Sequence, residues 1–273
     1  MKKTILITGA SSGIGRETAL LFARAGWQVS AAMRSPEKET ELAQMPNVFV
    51  PRLDVHSDEQ VASAIQQTVE RFGSVDVLVN NAGYGLVAPF ERASEEQIEM
   101  QFATNVFGLM RVTRAVIPWM RKQQRPGLIL NVASIGGRMT FPFYSLYHAT
   151  KWCVEGFSES LRYELKPVGV TVKVIEPGPI LTDFYSRSAD NVIEHEDPAY
   201  GGLSAKAMSR MAVFVRWFGS QPDAVARVIY RAATDGREKF RYPAGWVAHW
   251  ILVSRKLLPD FIFNWFVKKI TLG

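Results

Sequence analysis

Short apolar runs alternate with helical patterns along most of this 273-residue chain, and that alternation constrains its fold more than any other feature. Thr4–Thr8, Gln28–Met33, Val48–Leu53, Val75–Asn80, Leu128–Ala133 and Val170–Glu176 read as strands. Ile14–Ala25, Glu37–Met45, Asp58–Phe72, Glu95–Met120 and Leu146–Leu165 read as helices. The strand runs are apolar at consecutive positions rather than at every second one. They must therefore bury both faces, which is the signature of a parallel sheet in an α/β fold with helices on either side. After Pro177-Gly178-Pro179 the rhythm stops. Leu181–Gln221 holds scattered apolar residues (Phe184, Tyr185, Met208, Met211, Phe214, Trp217), followed by a helical Pro222–Ala233 and a short strand at Phe240–Tyr242. No linker separates these parts. The expectation is one domain over residues 1–273: a core at 1–180, an inserted substrate-covering lobe at 181–221 and a C-terminal part at 222–273.

Composition excludes several classes. With 47% hydrophobic and 21% charged residues the chain has the makeup of a folded globular protein. Its single cysteine, Cys153, excludes an intramolecular disulfide framework and a cysteine-cluster metal site. The four histidines show no ligand spacing, so no metal is expected. The apolar run Ile5–Ile7 is too short for a signal-peptide core, and no stretch approaches a spanning helix. A cytoplasmic protein is expected. The net charge of +6 is uneven: from Arg237 onward seven Lys/Arg face two acids. A nucleic-acid reader would spread its basic residues along a docking face, so no nucleic-acid partner is expected.

Between the first strand and first helix stands Thr8-Gly9-Ala10-Ser11-Ser12-Gly13-Ile14-Gly15. Glycines at 9, 13 and 15 let the backbone turn tightly and approach a pyrophosphate lying on the helix N-terminus. The end of the second strand bears on which dinucleotide is bound. An NAD-preferring site places a carboxylate there, whereas this chain has Met33 followed by Arg34. Arg34 is either a guanidinium grip on a 2′-phosphate, which points to NADP, or a solvated loop residue. Asp54-Val55 after the third strand and Asn81-Ala82-Gly83 after the fourth lie where parallel sheets bind ligands.

Tyr147 and Lys151, four apart in a helical stretch, leave one helix face. Ser134 follows the fifth strand, and Asn105 lies in the long helix before it. With the glycine turn, these residues resemble the short-chain dehydrogenase/reductase family over at least Thr4–Thr182. The resemblance implies a Rossmann-type, doubly wound sheet of about seven strands, with a small substrate lobe and a helical C-terminal tail. It also implies NADP-dependent reduction of an aldehyde or ketone, as in the family's carbonyl-reductase and hydroxysteroid members. Tyr147 would be the proton donor and Lys151 would favour its phenolate and hold the nicotinamide ribose. Ser134 would bond the substrate oxygen, and Asn105 would position a water. Cofactor contacts are implied for Gly9, Ser11, Ser12, Gly13, Ile14, Gly15, Arg34, Asp54, Val55, Asn81, Ala82, Gly83, Asn105, Tyr147, Lys151, Pro177, Gly178 and Thr182. The alternatives are an NAD-linked alcohol dehydrogenase of the same fold and a silent NADP-binding sensor at a membrane. The family also implies a homo-oligomer.

His148 points about 100° away from Tyr147 and is expected at the surface or an interface. Cys153 is expected to be a small packed residue. The tail Trp246–Leu258 and Asp260–Ile270 reads as two helices carrying aromatics together with Arg255, Lys256, Lys268 and Lys269. Such helices lie in a membrane interface, or pack on the body or a second subunit. The tail and the aromatic lobe favour a lipophilic substrate.

Overall fold

The computed structural model describes residues 2–123, 125–181, 189–191 and 199–273. Its centre is a seven-stranded sheet of β1 (Thr4–Thr8), β2 (Gln28–Ala32), β3 (Val48–Phe49), β4 (Val77–Asn80), β6 (Gly127–Val132), β7 (Val170–Pro177) and β9 (Arg241–Ala244). The order is β3-β2-β1-β4-β6-β7-β9, and every described pairing is parallel. The chain builds outward from β1 to β3, then crosses back to place β4 on β1's other side. That reversal opens a crevice beyond the carboxyl ends of β1 and β4, where open α/β sheets bind ligands.

Side-chain alternation explains the apolar strands. Ile5 and Ile7 point to one face and Leu6 to the other, and all three are fully buried. Helices α1 (Gly13–Arg24) and α7 (Pro222–Thr234) cover the first face through Leu20, Phe22, Val225 and Ile229. The opposite face is covered by α2 (Asp58–Phe72), α4 (Leu109–Lys122) and α5 (Ser145–Leu165), through Ile65, Val112, Val116 and Leu161. Burying a side chain the size of Phe22 or Leu78 contributes about 2–3 kcal/mol each relative to exposure.

Three elements differ from the sequence expectation. The stretch expected as a helix at Glu37–Met45 forms only two short 3₁₀ turns, Pro36–Lys38 and Leu42–Gln44. Prolines 36 and 46 flank it and Leu42 is its only fully buried apolar residue, so no apolar stripe exists to hold a helix. Its Glu39 and Glu41 turn instead to Arg16 of α1, at 3.5 and 2.6 Å. The third strand is shorter than expected because Pro51 has no N–H to donate; one isolated bridge, Met33 to Arg52, continues its line. The expected helix Glu95–Met120 is divided into α3 (Glu95–Phe102), a π-helical turn (Ala103–Gly108) and α4. A side chain at Gly108 would press against Val55, so this turn sits tightly over the third strand's exit.

The lobe contributes β8 (Ala189–Asn191), paired with β5 (Gly85–Val87), and helix α6 (Gly201–Phe218). Neither short strand was expected. Helices α8 (Trp246–Leu257) and α9 (Asp260–Thr271) close the chain, as the tail's composition indicated.

Candidate active site

A cavity of about 750 Å³ opens beyond the carboxyl ends of the strands. Its floor is the glycine turn. Gly9 and Gly13 adopt φ of 67° and 53°, the left-handed region that glycine enters without penalty. A Cβ on Gly9 would lie 2.9 Å from the Ala82 Cα, and one on Gly15 would strike the Gly9 carbonyl. Asn81 and Thr8 lock the two turns together. The Asn81 amide donates to the carbonyls of Thr8 (3.0 Å) and Gly9 (3.1 Å), while the Thr8 hydroxyl accepts from the N–H groups of Asn81 and Ala82. That clamp was not foreseen. The N-terminus of α1 carries no acid in its first turn and no side-chain cap, so its N–H groups suit a pyrophosphate.

At one end of the cavity stand Met33, Arg34, Leu53, Asp54 and Val55. Met33 is buried and Arg34 exposed. The neighbouring acid Glu37 pairs with Arg52 at 2.7 Å. Arg52 also donates to the Arg34 carbonyl at 2.6 Å, fixing the backbone from which that guanidinium extends. One Asp54 carboxylate oxygen accepts the His56 N–H at 3.0 Å.

At the other end, α5 presents Tyr147 and Lys151 one turn apart, and the end of β6 presents Ser134. Lys151 is buried, its Nζ donates to the Val132 carbonyl at 3.0 Å, and it lies 5.7 Å from the Tyr147 ring centre. Burial pushes the ammonium down to about 8. The Ser134 hydroxyl accepts the Gly136 N–H at 3.0 Å. Asn105, buried in the π turn, receives the Tyr84 N–H (2.8 Å) and donates to the Tyr84 carbonyl (2.8 Å) and the Thr150 hydroxyl (3.0 Å). The Thr150 hydroxyl donates in turn to the Tyr147 carbonyl at 2.8 Å. The Asn105 side chain therefore ties the loop after β4 to α5.

Of the residues expected to contact cofactor, all line the cavity except Gly15, Asn105 and Thr182. Gly15 packs beneath the Gly9 carbonyl, Asn105 braces from behind, and Thr182 lies outside the described residues, as do Phe184, Tyr185 and His195. Apolar and aromatic side chains also line the cavity: Leu86, Val87, Phe141, Tyr144, Met211 and Val215. Of these only Met211 had been singled out, as part of the aromatic and methionine content of the lobe. Cys153 is half-buried, and burial raises its thiol pKa. Among the described residues no cluster could hold a metal ion.

His148 is not at the surface. It is 3% exposed, because Gly136 and Gly137 bring the loop after β6 close against α5. Its Nε2 accepts the Phe141 N–H at 2.9 Å, so Nδ1 carries the proton and donates to the Gly136 carbonyl at 2.9 Å. His148 thus holds both Gly136, which supports Ser134, and Phe141, a cavity wall. Burial pushes its pKa down to about 4 from 6.5. Between those values the unfolded chain binds a proton that the folded chain refuses, so stability falls as pH drops through that window. The full loss is about 3 kcal/mol. Urea titrations at pH 7 and 4.5 check this: His148→Gln keeps a donor and an acceptor but cannot titrate, and it should flatten the pH dependence. Equal slopes for the two proteins would contradict the assignment.

A second buried network supports the turn after β7. Glu155 and Glu176 are nearly inaccessible, and Arg241 (2.9 Å to Glu155) and Arg138 (3.3 Å to Glu176) brace them. Burial, and for Glu155 the neighbouring carboxylate, raise both pKa values above the usual carboxylate range.

The chain belongs to the short-chain dehydrogenase family, whose model matches residues 3–192. It is 34% identical to 3-ketodihydrosphingosine reductase of Bacteroides thetaiotaomicron, covering 94% of this chain and 93% of that one. It is 37% identical to retinol dehydrogenase 8 of Bos taurus, covering 88% and 80%. Among solved structures, a short-chain dehydrogenase from Streptomyces avermitilis superposes with a TM-score of 0.83 at 31% identity, covering 98% and 96%. A Burkholderia phymatum member in complex with NAD superposes at 0.79 (25% identical, 94% and 92% covered), and ElxO with NADP bound at 0.73 (28%, 91% and 100%). The protein is an oxidoreductase of this family whose cavity is built for a nicotinamide cofactor.

Proposed function

We propose that the protein is an NADP-dependent reductase of lipophilic aldehydes or ketones. The observation that carries this is one cavity joining Arg34 at one end to Ser134, Tyr147 and Lys151 at the other, with Leu86, Val87, Phe141, Met211 and Val215 also in its lining. The glycine turn, the uncapped N-terminus of α1 and the clamp by Asn81 fit the pyrophosphate of a dinucleotide. When bound, that group supplies the hydride. Ser134 positions the carbonyl oxygen by a hydrogen bond that strengthens as charge gathers there. Tyr147 delivers the proton to that oxygen. The Lys151 ammonium, close to the ring and shielded from water, favours the phenolate that remains. Asn105 keeps α5 in register with the loop after β4, and would position a water that returns a proton towards Lys151.

Two supports bear on the substrate: the apolar side chains in the cavity lining, and relatives named for lipophilic molecules, 3-ketodihydrosphingosine and retinol. We place the enzyme in the cytoplasm as a homo-oligomer, in keeping with its lone cysteine and its family.

Arg34→Asp tests the cofactor assignment. Charge-assisted bonds to a 2′-phosphate are each worth about 1.5–3 kcal/mol, so NADPH affinity should fall roughly 10- to 100-fold. NADH affinity should hold or improve. Titration of cofactor fluorescence measures both, and unchanged NADPH affinity would remove Arg34 from the site.

A further inference from the structure

The chain's net charge of +6 resides on three helices. Helix α6 carries Lys206, Arg210 and Arg216, while α8 and α9 carry two basic residues each, and the only acid among the three helices is Asp260. Outside them the chain has 25 basic and 25 acidic residues. Asp260 pairs with Arg255, and Arg210 donates to the carbonyls of Lys269 and Ile270, fastening α6 to the end of α9. Lys256, Lys268 and Lys269 are exposed.

The same helices display large apolar side chains to solvent. On α8, Trp246, Trp250, Val253 and Leu257 recur at spacings of four, three and four, which makes one stripe. Opposite that stripe, Ala248 and Leu252 join Phe263 of α9 in a buried cluster with Ile135 and Met139, so both helices stand on the segment that follows Ser134. On the outer side Phe261 is 75% exposed and Trp265 58%. Trp217 of α6 is 76% exposed, and Phe218 meets Trp246 at 5.9 Å between ring centres, which continues the surface onto α6. Contiguous exposed aromatics on this scale mark an interaction surface. A second copy docking by two-fold symmetry would set this positive surface against itself. A partner rich in negative charge with an apolar interior fits both features.

We infer that α6, α8 and α9 form a platform that docks on an anionic lipid bilayer, with the tryptophans at headgroup depth and the lysines on lipid phosphates. Among the described residues no helix is long and apolar enough to cross a membrane, so the platform lies on the surface. Met211 and Val215 of α6 line the cavity, which places the docked face beside the entrance for a lipophilic substrate. Docking itself does not depend on the proposed reaction.

Flotation of the full chain with vesicles of phosphatidylcholine, alone or mixed with phosphatidylglycerol, tests this at low and high salt. The full chain should float with the mixed vesicles and be released by salt. The triple variant Lys256→Glu/Lys268→Glu/Lys269→Glu should partition about a hundredfold more weakly. Trp250→Ser/Trp265→Ser should lose at least about tenfold. All five positions are exposed, and thermal unfolding with cofactor titration verifies that both variants are folded. Failure of the full chain to float on anionic vesicles, or variants that float equally well, would overturn the proposal. So would a variant that dissociates an oligomer without vesicles, since a second copy would then cover the face.

Discussion

Tyr147→Phe should lower kcat by about a thousandfold, within the range of positioned acid–base groups, while NADPH affinity changes less than about threefold. Tyr147 lines the cavity together with Ser134 and stands one helical turn from Lys151, which suits its phenol to give a proton to a substrate oxygen held by Ser134. Lys151 faces the Val132 carbonyl, and His148 has both ring nitrogens engaged. Removing the hydroxyl leaves the ring, its packing on His148 and the helix unchanged. The loss should therefore fall on kcat rather than on cofactor binding. Steady-state turnover with NADPH, paired with cofactor titration, separates the two. Turnover above a tenth of the parent's would remove Tyr147 from the proton path.

Lys151→Met should be comparably inactive and yet more stable without cofactor. Burial lowers the ammonium pKa from 10.5 to about 8, so the folded protein at pH 7 carries a charged group that it disfavours by about 3 kcal/mol. Methionine relieves that cost but leaves the Val132 carbonyl without its donor, which returns about 1–2 kcal/mol. The net expectation is a gain of about 1–2 kcal/mol in urea unfolding at pH 7. The sign has a second consequence. Between pH 8 and 10.5 the folded protein releases this proton before the unfolded chain does, so the parent gains stability as pH rises there. The variant should not. A variant less stable than the parent, with the same alkaline slope, would mean that the ammonium is not disfavoured in the folded state. A stabilised, inactive variant is the pattern of a site that trades stability for chemistry.

Much of this architecture was legible in the residues. Strands apolar on both faces specified a parallel sheet, and the glycine turn, Asn81–Gly83 and Tyr147–Lys151 marked three segments that the fold brings to one cavity. What escaped has physical reasons. The stretch Glu37–Met45 is made of good helix formers, but helices in proteins need an apolar face to pack, and this one has only Leu42. The pairing of β5 with β8 involves three residues each, too few for a periodic pattern. Helical geometry places His148 correctly beside Tyr147, but whether that side meets solvent depends on a loop folded over it from Gly136 to Phe141. Asn105 was recognised by type and order, yet its partner is a backbone segment 21 residues away. Arg241 and Glu155 are 86 apart in sequence and leave no local sign of their meeting. The tail's aromatic and basic composition was plain from the start. Its distribution into a buried side against Ile135 and an exposed side required the fold.

The most direct test of the account is the oxidation of NADPH and of NADH by the purified protein, across medium-chain aldehydes, aromatic ketones and keto-steroids. The account predicts turnover with NADPH at higher kcat/KM than with NADH, favouring the more lipophilic carbonyls, and a rate about a thousandfold lower for Tyr147→Phe. Tight NADPH binding without hydride transfer to any of these carbonyls, or turnover by Tyr147→Phe above a tenth of the parent's, would contradict it.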